Sequence, residues 1–431
     1  MKKLDYKWVM LALVSSAYFL AQGTRQIYNS VLPQIKSDFL AYGVTDTQLG
    51  IVGSAFALAF GIAIPFAGLA ADFFRRKWMI VAGMAVFSLG ILLSGFASGL
   101  GMLVFAYGIL NAAGQSLMPP ANSSLIGQFH VETRGTAFSI YQMCIYVGTV
   151  VCSCAAGWLA SLGEGGWRKA FVLFGIIGFA WAVLLIWKLR DTPSESEVKV
   201  KGAIEAEGRN SRSEANGLRE QGNKASVREA VLAMVGKPTA LLLMLGLGFY
   251  FYALYGFKTW LPMFLVKTYP GVTIQSAAFH GVFWFYLGAM AGVMFGGRFS
   301  DRVYSRRREI RIEMNILGLV LAIPLLLGMA YAPSFLVCVA ASGVFGFATG
   351  PYDSNLYASL LEVVKPRYRA VAVGMFGCGG CVLGALGPGM LGWMSANFSM
   401  RAGFASLAVS AAIGAVVILV ARCMTFERDR V

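Results

Sequence analysis

Two cations and one carboxylate stand deep inside runs of otherwise apolar residues. Arg25 lies about 17 residues into the run that begins at Trp8, Lys258 about 19 into the run that begins at Thr239, and Asp353 well inside the run from Ser334 to Leu361. In a membrane helix, a charge at the centre costs about 3 kcal/mol or more, so something must offset it. A water-filled cavity would do so, and two cations against one acid leave that cavity net positive. Such a site suits a carboxylate, sulfate or phosphate, and the planar fork of Arg25 can clamp an oxyanion through two parallel hydrogen bonds. Asp353 is the one acid well inside a run, since Glu362 is already near the end of its own. A carboxylate held between burial, which favours its neutral form, and a cation, which favours its charged form, can exchange a proton as a ligand comes and goes. The same residues could instead make a permanent ion pair that only ties helices together.

Polar and aromatic side chains occur at matching depth: Tyr28, Asn29, Gln115, Asn122, Tyr141, Gln142, Tyr255 and Asn355, with Gln22, Tyr146 and Tyr252 beside them. Any one of them alone more often packs helices together. As a set, their hydroxyls and amides suit a polyhydroxylated anion such as a sugar acid.

The elements that must position these groups follow from composition. The chain has 431 residues, 57% hydrophobic and 13% charged, with a mean hydropathy of +0.66. Soluble domains run near 25% charged, so a soluble globular protein is excluded. Runs of about 20 apolar residues recur from end to end, without the period-two alternation of a strand barrel. Twelve helical spans can be drawn, making an all-α polytopic membrane protein. Of the 36 Lys and Arg, 29 fall on the side that holds both termini and five on the other, beside Arg25 and Lys258 inside spans. By the positive-inside rule both termini are cytoplasmic, in a cell (inner or plasma) membrane, and the net charge of +15 reflects topology rather than nucleic-acid binding. Met1–Lys7 resembles a signal n-region, but the full-length span behind it reads as a retained first helix. Six of the seven cysteines fall within spans, and Cys378-x-x-Cys381 among four glycines reads as a packing face, not a redox motif.

The two halves repeat. Gly68 to Asp72, followed by Arg75-Arg76-Lys77, matches Gly297 to Asp301, followed by Arg302 and Arg306-Arg307-Arg308. Pro120-Ala-Asn122-Ser answers Pro351-Tyr-Asp353-Ser. Arg134 precedes Gly157-Trp158 by 23 residues, as Arg369 precedes Gly392-Trp393. The expected organisation is a six-helix bundle over 1–190, a linker over 191–237 and a second bundle over 238–431. The linker has eight acids and eight bases and few apolar residues before Val227, with a capping box at Ser226-Val-Arg-Glu229 that predicts a short interfacial helix.

Twelve spans in two repeated sixes, a long central loop and paired Gly-x-x-x-Asp loops with basic residues resemble the major facilitator superfamily over essentially the whole chain. Arg25, Gly166-Trp167-Arg168-Lys-Ala-Phe171 and Arg134-Gly135 are similar to its organic-anion branches, the anion:cation symporters and organophosphate:phosphate antiporters. The antiporter branch has a second arginine on helix seven, and here Leu254 stands opposite Arg25, which weakens sugar-phosphate exchange. Within that frame Asp72, Arg76, Arg134, Asp301 and Arg302 are expected to gate the cytoplasmic face.

No Walker loop, metal cluster or nucleophile elbow is present in the sequence, so no ATP-driven step, cofactor, metal or enzymatic activity is expected. The expected function is secondary transport of a small organic anion by alternating access, with a proton as coupling ion, by a monomer in contact with membrane lipid. The alternatives are an organophosphate/phosphate exchanger, an exporter of lipid-like or drug-like molecules, and a non-transporting receptor.

Overall fold

The computed structural model describes residues 6–130, 133–190, 229, 232, 234–365 and 368–430, with only the backbone of Ala41, Asp72, Phe73, Arg134, Gly135 and Ala370. No strand occurs among these residues. The first half contains α1 (Tyr6–Asp38), α2 (Asp46–Phe73), α3 (Arg76–Gly95), α4 (Leu100–Phe129), α5 (Arg134–Ser161) and α6 (Gly166–Lys188). The second contains α7 (Pro238–Thr268), α8 (Ile274–Tyr304), α9 (Ile310–Ala330), α10 (Phe335–Leu361), α11 (Arg369–Gly384 continued by Leu386–Asn397) and α12 (Met400–Asp429). These are the twelve helices, in two pseudo-symmetric sixes, that the repeat predicts. Most of the linker and its interfacial helix lie outside the described residues; 229, 232 and 234–235 are helical.

Eleven of the helices are long and apolar enough to cross a membrane by length and composition. The exception is α1, at 33 residues more than long enough, but more polar than the rest. The reason is local. Gln22, Arg25, Gln26 and Asn29 fall at i, i+3, i+4 and i+7, one face of a helix, and that face lines the cavity described below.

Four of the six helix starts at the end away from the termini are closed by side chains. Thr45 and Gln48 form a capping box at α2, and Thr273, Ser334 and Ser399 accept from the third residue beyond them at α8, α10 and α12. At the opposite end, Asp429 of α12 accepts from the Thr239 backbone N–H at 2.9 Å and its hydroxyl at 2.8 Å, satisfying the first turn of α7.

Without a hydrophobic drive between helices in lipid, close packing of small residues carries association. Gly288, Gly292 and Gly296 of α8 lie directly against the α10 backbone around Gly343, Phe347 and Pro351, so an added methyl group at any of them would collide. The repeated Gly-Trp pair has a second meaning. Gly157 on α5 packs on Ala278 of α8, while its counterpart Gly392 on α11 packs on Asp46 of α2, so each marks a contact between the halves.

The tryptophans do not behave alike. Trp78 and Trp187 are exposed near helix ends, as anchors should be. Trp167, although also near a helix start, is fully buried, with its indole N–H donating to Asp38.

Candidate functional site

A cavity of about 170 Å³ lies between the halves, lined by α1, α2, α4, α5, α7, α8 and Pro388 of α11. Of the candidate ligands named from sequence, Arg25, Asn29, Tyr255 and Lys258 line it, as do Gln22 and Tyr146. Sequence reasoning missed Gln26, Tyr107, Thr149, Thr259 and Tyr286 on the same wall. Gln26 was legible, being one turn from Gln22 on the polar face of α1. Tyr107 was not, because an aromatic residue in an apolar helix carries no positional signal.

Arg25 is partly buried, its guanidinium over the rings of Phe56 at 4.7 Å, Phe60 at 5.1 Å and Tyr255 at 5.3 Å. Its own carbonyl accepts from the Tyr107 hydroxyl at 2.7 Å. Tyr107 sits in a wider-wound stretch of α4, Val104–Asn111, a local geometry often found at functional positions. The Lys258 ammonium lies over Phe285 at 5.2 Å and Tyr286 at 5.0 Å. Contacts of this kind contribute up to about 2 kcal/mol when desolvated, enough to help hold each cation in place without an acid at contact.

Asp353 does not pair with either cation. Its carboxylate accepts from the Tyr250 hydroxyl at 2.7 Å, and it sits beside the cavity, off its lining. No ion pair within 4 Å joins it to Arg25 or Lys258 among the described residues.

The other named residues, Gln142 apart, lie in the packed interior. Tyr28 donates to the Leu49 carbonyl at 2.8 Å, Gln115 to Asn111 at 2.9 Å, Asn122 to the Tyr141 hydroxyl at 3.1 Å and Asn355 to the Pro351 carbonyl at 2.9 Å. Tyr141 stacks on Tyr18, and Gln142 is exposed and outside the lining. Cys378 and Cys381 are free thiols, with Cys381 3.5 Å from the Tyr255 hydroxyl. Among the described residues no group of histidines, cysteines and acids is arranged to hold a metal.

The halves are tied together at the end away from the termini. Asp46 at the head of α2 is 4% exposed and accepts from Lys36 of its own half, from Lys267 of α7 at 2.8 Å and from Ser395 of α11 at 2.7 Å. Nearby, the Ser54 hydroxyl of α2 accepts from Gly389 N–H of α11 at 2.9 Å, and Ser153 of α5 donates to the Ala278 carbonyl at 2.9 Å. At the other end, several charges among the described residues pair within a half. Arg76 donates to the Gln128 amide oxygen at 3.0 and 3.2 Å in the amide orientation that satisfies both groups. Asp301 meets Arg311 at 3.5 Å, and Arg311 also donates to Glu362 at 3.2 Å. Burial pushes the Glu362 carboxyl above its usual range, against the opposing pull of Arg311. Arg302 is exposed, and the side chains of Asp72 and Arg134 lie outside the described residues.

The Major Facilitator Superfamily profile matches residues 14–314 and 271–430. The chain belongs to this superfamily. It is therefore a multi-pass membrane transporter and not an enzyme. Among curated superfamily members, a probable sulfoacetate transporter, SauU, of Cupriavidus necator is 24% identical over 91% of this chain and 88% of its own length. A probable galactarate/D-glucarate transporter, GudP, of Escherichia coli is 25% identical over 90% and 86%. A probable hexose phosphate transport protein of Chlamydia pneumoniae is 24% identical over 77% and 72%. Solved structures share the fold. A bacterial homolog of the human lysosomal transporter Spinster, inward-facing and unoccupied, aligns with a TM-score of 0.80 and 23% identity over 100% of this chain and 99% of that one. A D-xylose-proton symporter aligns at 0.73 with 14% identity over 99% and 100%.

Proposed function

We propose that this transporter carries a small organic anion, a sugar acid or other carboxylate, together with a proton, by rocking of the two six-helix halves about the central cavity. The observation that carries this reading is the placement of Arg25 and Lys258 on one cavity wall each, with no carboxylate on the lining. A cation held by aromatic faces and unpaired with an acid keeps charge and hydrogen-bond donors to offer an anionic ligand. The names of the similar carriers support it, since sulfoacetate, galactarate, D-glucarate and hexose phosphates are all anions. Arg25 acts as the oxyanion clamp, Lys258 as the second charge, and Asn29 and Tyr255 with Gln22, Gln26 and Tyr146 as partners for hydroxyls. Asp353, beside the cavity and bonded to Tyr250, is the coupled-proton carrier.

The two carrying units are 1–190 and 238–431, joined by the linker 191–237, and the distribution of basic residues supports placing both termini in the cytoplasm. With that orientation the Asp46 network closes the external end. Phosphate exchange is disfavoured by Leu254, which is buried and offers no second guanidinium.

Purified protein in proteoliposomes tests the reading. An inward acid gradient should drive concentrative uptake of one of a set of labelled sugar acids and dicarboxylates, and Arg25→Gln should abolish it. Uptake driven only by counter-exchange with phosphate, or no uptake of any anion in the set, would overturn it.

A further inference from the structure

The two cations of the cavity point to different walls. The Arg25 guanidinium is framed by α2 and α7 through Phe56, Phe60 and Tyr255. The Lys258 ammonium is framed by α8 through Phe285 and Tyr286. They belong to opposite halves, yet both line a single space of about 170 Å³. Asp353 does not neutralise Lys258 at contact, because its carboxylate is turned to Tyr250.

A ligand with one anionic group satisfies one of these cations and leaves the other against aromatic rings, with only the field of Asp353, not a contact, reaching Lys258. A ligand with an anionic group at each end satisfies both, and in doing so bridges the two halves. We infer that the preferred substrate is a two-headed dianion of a few carbons, one carboxylate or sulfonate on Arg25 and the second on Lys258. This rests on the reading of the cavity given above and narrows it. The two heads are not equivalent: Arg25 offers a planar fork for two oxygens, whereas Lys258 offers a compact charge that any anionic oxygen can meet. A charge-assisted contact in a desolvated site separates partners by about tenfold or more. The internal substituents then contact α1, where Gln26 and Asn29 line the same space.

Isothermal titration of the full-length protein in detergent reads this directly, using pairs that differ in one acidic group: D-glucarate against D-gluconate, succinate against butyrate, and sulfoacetate against acetate. For the best-binding pair, the dianion should bind at least tenfold more tightly. In Lys258→Gln the ratio should fall to about one, and in Lys258→Arg, which retains the charge and controls for folding, it should persist. Equal affinities in the native protein, or a ratio that survives in Lys258→Gln, would overturn the inference while leaving the cavity as the anion site. Arg25→Gln reports on the cavity itself. If it weakens neither member of the pair, or if no anion of the three pairs binds the native protein, the assignment of the cavity fails and the dianion inference fails with it.

Discussion

Lys267 on α7 donates to Asp46 on α2 at 2.8 Å, and this ion pair crosses between the halves, whereas Asp301 pairs with Arg311 inside one half. Among the described residues, then, charge contacts tie the halves together at the end away from the termini. Asp46→Asn removes the charge that gathers Lys36, Lys267 and Ser395. Losing one partner of a fully buried pair costs about 3–5 kcal/mol and of an exposed pair at most about 1. With Lys36 24% and Lys267 36% exposed, a value of about 1–2 kcal/mol is expected. The outward-open population should rise roughly fivefold to thirtyfold. Distances between spin labels on the outer ends of α1 and α7 measure it, and a distribution unchanged from the native protein would reduce Asp46 to a capping residue.

Arg25→Lys should lower substrate affinity by at least about tenfold while the protein still folds. The lysine keeps the charge but loses both the planar fork and the stacking on Phe56, Phe60 and Tyr255. Titration with the best substrate, alongside the elution profile in size exclusion, separates the two effects. Equal affinity in the variant would show that Arg25 serves packing alone.

The fold was largely legible before any coordinates, because helix length, the positive-inside asymmetry and the internal repeat are properties of long segments. The site was legible in part. Arg25, Lys258 and Asp353 declared themselves by charge in apolar surroundings, and the first two do line the cavity. Asn122, Gln115 and Asn355 have the right type and depth, yet each turns to a neighbour on its own or an adjacent helix, and depth in a span does not reveal the face. Asp46 was overlooked because it reads as an ordinary acid in the first turn of α2. Its importance depends on Lys267, 221 residues away, which only the assembled halves bring near.

Gly292→Val should destabilise the protein without altering which anions bind. An added side chain there meets the Phe347 carbonyl of α10, with no flexible group to yield, and overpacking of this kind costs about 1–3 kcal/mol. Thermal unfolding in detergent should show a lowered Tm. An unchanged Tm would mean the α8–α10 seam relaxes at little cost.

Asp353→Asn should abolish concentrative uptake while exchange of labelled substrate across equilibrated membranes survives. A proton-coupled carrier needs a group beside its substrate that can change charge, and Asp353 is the deep carboxylate next to this cavity. Its bond to Tyr250 keeps it off the lining, so asparagine removes the proton carrier without removing a substrate contact. The amide can still accept from the Tyr250 hydroxyl, and the repeat already places an amide, Asn122, at the equivalent position of α4. Tyr250→Phe is the companion variant: it leaves the carboxylate but takes away its donor, so coupling should persist with a shifted pH dependence. The two variants together separate proton transfer from local structure. If Asp353→Asn retains full uphill uptake with the native pH dependence, Asp353 is a counter-charge for Lys258, and transport runs on exchange or another ion.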